Sequence, residues 1–200
     1  MNIKPCHVMS MSVEKAARTK AEQVLREIEA LSQRQFLPIV GPEKGQVLVD
    51  TIRKLKPKRV LEVGTLIGYS TILMGKELPA DAELITVEIH ADETKLAEEN
   101  IRRAEIPPKA RVLVGNALQL IPKLSGEFDM VFIDAEKTEY LQYLLLAENK
   151  LHAGTVVVAD NAGIFADQMS DYLEYVRSSG RYKSRYVPFG GDGVEVSVKL

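Results

Sequence analysis

Tryptophan is absent from the 200 residues, and cysteine occurs once, as Cys6. A disulfide needs two thiols and a structural zinc site usually four Cys or His ligands, so Cys6 with the scattered His7, His90 and His152 supports neither. A reducing compartment, the cytoplasm, is expected. Charge of one sign is lacking too: 26 Lys and Arg stand against 28 Asp and Glu, a formal net charge of -2, with no basic cluster. That argues against a nucleic-acid surface and makes a small molecule the expected partner. Long apolar runs are missing as well. Lys4, Glu14, Lys15 and Arg18 break up the start, so neither a signal peptide nor a membrane span is expected.

What the chain has is material for a core, with 46% hydrophobic residues. A chain of this length buries about 70% of its unfolded surface, so one domain over 1–200 needs no covalent staple. From Val13 the residues Ala16, Ala17, Ala21, Val24, Leu25, Ile28 and Leu31 recur at spacings of three and four, predicting an amphipathic helix with Ser12 as N-cap. A second helix is expected from Glu43 to Lys56, stopped by Pro57. β-branched runs then alternate with helical stretches: Arg59–Val63, Leu84–Ile89, Arg111–Gly115, Phe128–Asp134 and Thr155–Asp160. This is the pattern of a parallel sheet with helical crossovers, a Rossmann-like α/β domain over 39–200 with 1–38 as a helical extension. That extension has two places to pack, on its own domain or across a homodimer interface. Val131-Phe132-Ile133 and Thr155–Val158 are apolar on successive residues, as expected of strands covered on both faces. The tail alternates Val194, Val196, Val198 and Leu200 with Glu195, Ser197 and Lys199. It predicts a strand with one wetter face, paired antiparallel with Tyr182–Phe189 through Gly190-Gly191-Asp192-Gly193.

In an open parallel sheet, ligands bind beyond the carboxyl ends of the strands. The first exit carries Gly64 and Gly68, with Ser70 at the start of the next helix, where N–H groups attract a carboxylate. The G-x-x-x-G spacing is not the G-x-G-x-x-G of dinucleotide sites, which counts against an NAD-dependent oxidoreductase. Glu88 ends the second strand, where an acidic residue can accept both hydroxyls of a ribose. Asn116 after the third strand suits an adenine edge and a helix N-cap equally well. Asp134, Asp160 and Asn161, at the last two exits, form an all-oxygen set suited to Mg²⁺. Two Asp N-caps are the competing reading, and periodicity does not choose between them. Lys137 follows Asp134 by three residues and would project over the same mouth as a base if a helix starts there.

Several segments, in order, resemble the cation-dependent O-methyltransferases that use S-adenosylmethionine, the catechol and caffeoyl-CoA O-methyltransferase group. They are Gly41-Pro42-Glu43-Lys44-Gly45-Gln46, Leu61–Ser70, Val87-Glu88, Phe128–Lys137, Ala159-Asp160-Asn161 and Asp192-Gly193-Val194-Glu195. The resemblance implies a seven-stranded, mostly parallel sheet with a reversed last strand. It implies a methyl donor held by Val40, Glu62, Gly64, Thr65, Ser70, Glu88, Ile89, Asn116, Ala117 and Asp134. It further implies Mg²⁺ or Mn²⁺ at Asp134, Asp160 and Asn161, and Lys137 removing the acceptor's proton.

Ala135-Glu136 stand where catechol enzymes often place aromatic rings, and the loop Tyr186–Gly191 has no carboxylate to clamp a second hydroxyl. The acceptor expected is therefore a small phenolic of vicinal-diol or caffeoyl type, admitted to a looser pocket closed by Phe36–Lys44. A nucleic-acid methyltransferase would want a basic surface and, for an amino-group methylase, an Asn-Pro-Pro-Tyr-like loop; this chain has Asn161-Ala162-Gly163. A non-catalytic binding module would not need Lys137 beside a complete metal set.

Overall fold

The computed structural model describes the backbone from Pro5 to Leu200 and side chains from Thr19 onward, so the side chains of Cys6 and His7 lie outside the described residues. Helix α1 spans Pro5–Ser32, longer than the spacing predicts, and Ser12 lies inside it rather than capping it. A proline at the first helical position costs no hydrogen bond, which lets the helix begin there. Ala21, Val24, Leu25 and Ile28 form its buried stripe. Ion pairs from Lys20 to Glu105 and from Arg103 to Glu27 bind the helix to its own domain. Helix α2 spans Gly41–Leu55 and ends where Lys56 adopts the left-handed conformation, φ 51°, its N–H bonded to the Ile52 carbonyl. Pro57 prevents resumption.

Seven strands follow: β1 Arg59–Val63, β2 Glu83–Glu88, β3 Lys109–Val114, β4 Phe128–Ile133, β5 Leu151–Ala159, β6 Tyr182–Phe189 and β7 Asp192–Lys199. They form one sheet in the order β3-β2-β1-β4-β5-β7-β6, with β7 antiparallel to both of its neighbours. The crossover helices are α3 Tyr69–Gly75, α4 Ala91–Ala104, α5 Ala117–Leu120, α6 Tyr140–Ala147 and α7 Ser170–Ser178. Successive strand residues feed opposite cores, since side chains alternate across a sheet. Met130 and Phe132 pack under α1, α2 and α3, while Val131 and Ile133 pack under α5, α6 and α7. That is why the β4 sequence is apolar without alternation. Strand order reverses between β1 and β4, and their carboxyl ends open the crevice where such sheets bind ligands. Among the described residues no helix is long and apolar enough to cross a membrane.

The tail corrects one expectation. Glu195 and Ser197 are fully buried rather than wet, whereas Val198 and Leu200 are exposed. Helix α7 covers the polar face. Arg177 donates to Glu195 from Nε at 3.0 Å and from Nη2 at 2.6 Å, and Ser184 adds a third bond at 2.6 Å. The antiparallel β7 also has a positional effect: it begins where β5 ends, bringing Asp192 to the Asp160-Asn161 exit.

Candidate active site

At the β1 exit, Gly64 has φ +96° and donates its N–H to the Val87 carbonyl of β2 at 3.0 Å. The Asp134 N–H reaches the Val63 carbonyl at 2.8 Å, so the β1, β2 and β4 exits lie side by side. Glu88 Oε2 accepts the N–H groups of Thr65 at 3.2 Å and Leu66 at 2.8 Å, and its Oε1 accepts the N–H of His90 at 3.0 Å. The residue expected to hold a ribose thus also pins the glycine loop. A carboxylate has about four acceptor sites, which leaves capacity for a ligand hydroxyl. Glu93 lies beside it; burial, then the Glu88 charge, pushes the Glu93 carboxyl above its ordinary pKa.

Glu62 is wholly buried and accepts the Thr71 hydroxyl, while its Oε1 has no hydrogen-bond partner. Burial pushes its pKa up to about 7, against the hydroxyls of Ser70, Thr71 and Thr86 and helped by the Asp134 charge. Ser70 sits in the first turn of α3, behind Gly68 at φ +87°. Asn116 caps α5, its Oδ1 accepting the Leu118 N–H at 2.7 Å. Val40 and Ala117 are buried, and Ile89 is exposed beside Glu88.

The β4 and β5 exits assemble the other half. Lys137 opens a 3-10 turn that leads into α6, and its Nζ lies 2.9 Å from both Asp134 Oδ1 and the Tyr140 hydroxyl. Tyr140 is buried and donates to the Asp160 carbonyl at 3.3 Å. Asp160 is also buried. Desolvation and the neighbouring Asp134 charge push its pKa up to about 6, against the pull of Lys44. Asn161 has φ +61°, and its Nδ2 donates to Asp192 Oδ2 at 3.0 Å.

Two residues without a role in the sequence reading complete this cluster. Lys44, in the first turn of α2, places Nζ 2.9 Å from Asp160 Oδ2 and 2.8 Å from Asp192 Oδ2. Both lie in segments that resemble the family, but 148 residues separate Lys44 from Asp192, and no local pattern joins them. Burial acts to raise the Asp192 carboxyl and is outweighed by hydrogen bonds from Lys44, the Ile164 N–H and Asn161, which hold it well below the carboxylate range.

The donors present fit a hard divalent cation. Asp160 Oδ1 is buried and makes no hydrogen bond, although the Lys44 ammonium stands 2.7 Å away. Asp134 and the Asn161 carboxamide add oxygens, with no thiol or imidazole among them, the ligand chemistry of Mg²⁺ or Mn²⁺. His152 is remote from this set and bonds Asp129 at the other end of β4.

Comparison with known proteins identifies the family and the fold. A family model described as O-methyltransferase matches residues 10–174. Catechol O-methyltransferase B of Danio rerio is 35% identical over 98% of this chain and 79% of its own length. The O-methyltransferase TomG of Streptomyces achromogenes, solved with S-adenosylmethionine, superposes with a TM-score of 0.77 at 26% identity, covering 92% of this chain and 89% of its own. An O-methyltransferase from Bacillus cereus, solved with S-adenosylhomocysteine, shares the fold with a TM-score of 0.79 at 24% identity, over 91% of each chain. The chain belongs to the O-methyltransferase family, the class of S-adenosylmethionine-dependent enzymes that its ordered motifs resemble.

Proposed function

We propose that this protein transfers the methyl group of S-adenosylmethionine to one hydroxyl of a small vicinal-diol phenolic, with Asp134, Asp160 and Asn161 holding Mg²⁺ or Mn²⁺. The observation that carries the metal is the proximity of two carboxylates, Asp134 and the buried Asp160, whose mutual repulsion persists although Lys44 contacts both Asp160 oxygens, at 2.7 and 2.9 Å. A divalent cation relieves such repulsion between neighbouring carboxylates. The name of the 35%-identical Danio rerio relative supports a catechol-like acceptor. The lone cysteine supports a cytoplasmic setting.

A divalent cation supplies Lewis-acid polarisation, which favours ionisation of a hydroxyl whose ordinary pKa is near 10. The remaining work falls to the chain's own residues. Glu88 and the glycine loop seat the donor's ribose. Ser70 and the start of α3 face its carboxylate. Lys137 Nζ, held between Asp134 and Tyr140, would in its neutral amine form take the proton and become the ammonium as the acceptor oxygen attacks the methyl carbon. The new O–C bond forms as the C–S bond breaks, and S-adenosylhomocysteine leaves neutral at sulfur. Phe36, 93% exposed on the segment leading to Lys44, offers an aromatic surface to a flat acceptor.

A labelled-donor assay over a panel of phenols tests this reading. Vicinal diols should turn over with Mg²⁺ or Mn²⁺, lose turnover on chelation, and regain it when the ion is restored. Full activity of metal-stripped enzyme, or equal rates for isolated and vicinal hydroxyls, would overturn it.

A further inference from the structure

We infer that Asp192, with Lys44 holding it, is a positioning residue that decides which end of the Asn161 carboxamide faces the cation; this rests on the metal reading above. Asp192 is held by four donors: Lys44 Nζ at 2.8 Å, Asn161 Nδ2 at 3.0 Å, and the N–H groups of Gly163 at 3.3 Å and Ile164 at 3.1 Å. Its roughly four acceptor sites are thereby filled, so it serves as a holder rather than a ligand. Asn161 offers an oxygen at one end of its carboxamide and an NH₂ group at the other. With the NH₂ committed to Asp192, the oxygen is the end left for a cation. The flipped amide would set two acceptors against each other. Asp192 thus fixes the identity of the ligating atom, as outer partners of metal ligands commonly do.

Lys44 supports that hold from the other side. Its Nζ lies 2.7 Å from Asp160 Oδ1 and 2.9 Å from Oδ2, so it pairs with the whole carboxylate and selects neither oxygen. The same ammonium ties Asp160 to Asp192, joining the ends of β5 and β7 to the first turn of α2. Its side chain is only 16% exposed, so water does little to screen the contact. Without it, Asp192 would lose the one ion-pair partner it has among the described residues, and with it part of its hold on Asn161.

The competing account is that Lys44 merely clips α2 to the sheet, and the two accounts differ in sign. Lys44→Met removes a positive charge beside a cation site, which on charge alone tightens divalent binding. Loss of positioning weakens it. The double variant Lys44→Met/Asp192→Asn is neutral in net charge, so charge alone predicts no change there. Mn²⁺ binding to donor-free protein, read from the electron paramagnetic resonance of the free ion, separates the accounts, with thermal unfolding showing that each variant is folded.

Weakening by roughly 10- to 100-fold in both variants, with Lys44→Arg close to wild type, is the expected result. Should Lys44→Met not fold, the double variant alone decides. Wild-type or tighter Mn²⁺ affinity in the folded variants would overturn the positioning role and leave the metal reading standing. A wild-type protein that binds no Mn²⁺ would overturn both.

Discussion

A Cβ atom on Gly64 would overlap the carbonyl oxygen of Asp134, so the two exits that flank the reversal of strand order meet with no side chain between them. The glycine is needed because its φ of +96° and the close approach of β4 coincide. Gly64→Ala should therefore destabilise the fold by more than about 1 kcal/mol, combining backbone strain with displacement of Asp134. Urea unfolding measures the first effect. A parallel loss of S-adenosylhomocysteine affinity would show that the displacement reaches the donor site; unchanged stability would refute the contact.

Glu62 gives the fold a pH dependence of defined sign. Its pKa rises from an ordinary 4.5 to about 7 on burial, so between those values the folded protein keeps a proton that the unfolded chain releases. Stability from this group is full below about pH 4.5 and is lost as pH rises towards 7. At about 1.4 kcal/mol per pH unit the loss comes to roughly 3 to 4 kcal/mol. Glu62→Gln mimics the protonated acid, so it should gain on wild type between pH 5 and pH 8 by up to roughly that amount. Thermal melts of both proteins at the two pH values test it, and a constant difference would mean that Glu62 does not titrate in this range.

The limits of β1 and β6 were legible in full because Pro57 and the Gly190-Gly191 turn punctuate them. Strand β5 begins earlier than expected, at Leu151, because its first residues pair with Phe128 across a register shift that the apolar run beginning at Thr155 does not announce. The burial of Glu195 was hidden for a different reason. Alternating polarity shows which residues share a face, but the cover comes from Arg177 on another element. The same holds in the site. Asp134, Lys137, Asp160 and Asn161 sit at strand exits that topology alone brings together, whereas Lys44 and Asp192 acquire their positions only when α2 and β7 close on them.

Glu88 anchors the glycine loop and, in the proposed function, also the donor's ribose. Its carboxylate accepts three backbone N–H groups, two of them from the glycine loop, so Glu88→Ala removes both the proposed ribose acceptor and the loop's anchor. Donor affinity should fall by about 1 to 3 kcal/mol, the cost of losing hydrogen bonds to a charged acceptor. Calorimetric titration with S-adenosylhomocysteine measures it. Unaltered affinity would remove Glu88 from the donor site and leave it as a loop anchor alone.

Lys137 is where the geometry makes its sharpest chemical demand. The side chain is only 15% exposed, and Nζ is shared between Asp134 and Tyr140; in the proposed function it receives the acceptor's proton. If that proton moves in the transition state, Lys137→Met should leave donor affinity nearly intact while lowering the single-turnover rate by roughly 10²- to 10⁴-fold. The defect must also depend on the acceptor. A phenol already ionised at the assay pH needs no base, so the ratio of wild-type to variant rates should shrink steadily across a series of acceptors of falling pKa. A purely structural lysine would lower all members of the series alike. Wild-type rates on the least acidic member would reduce Lys137 to a counter-charge for Asp134 and assign the proton to water.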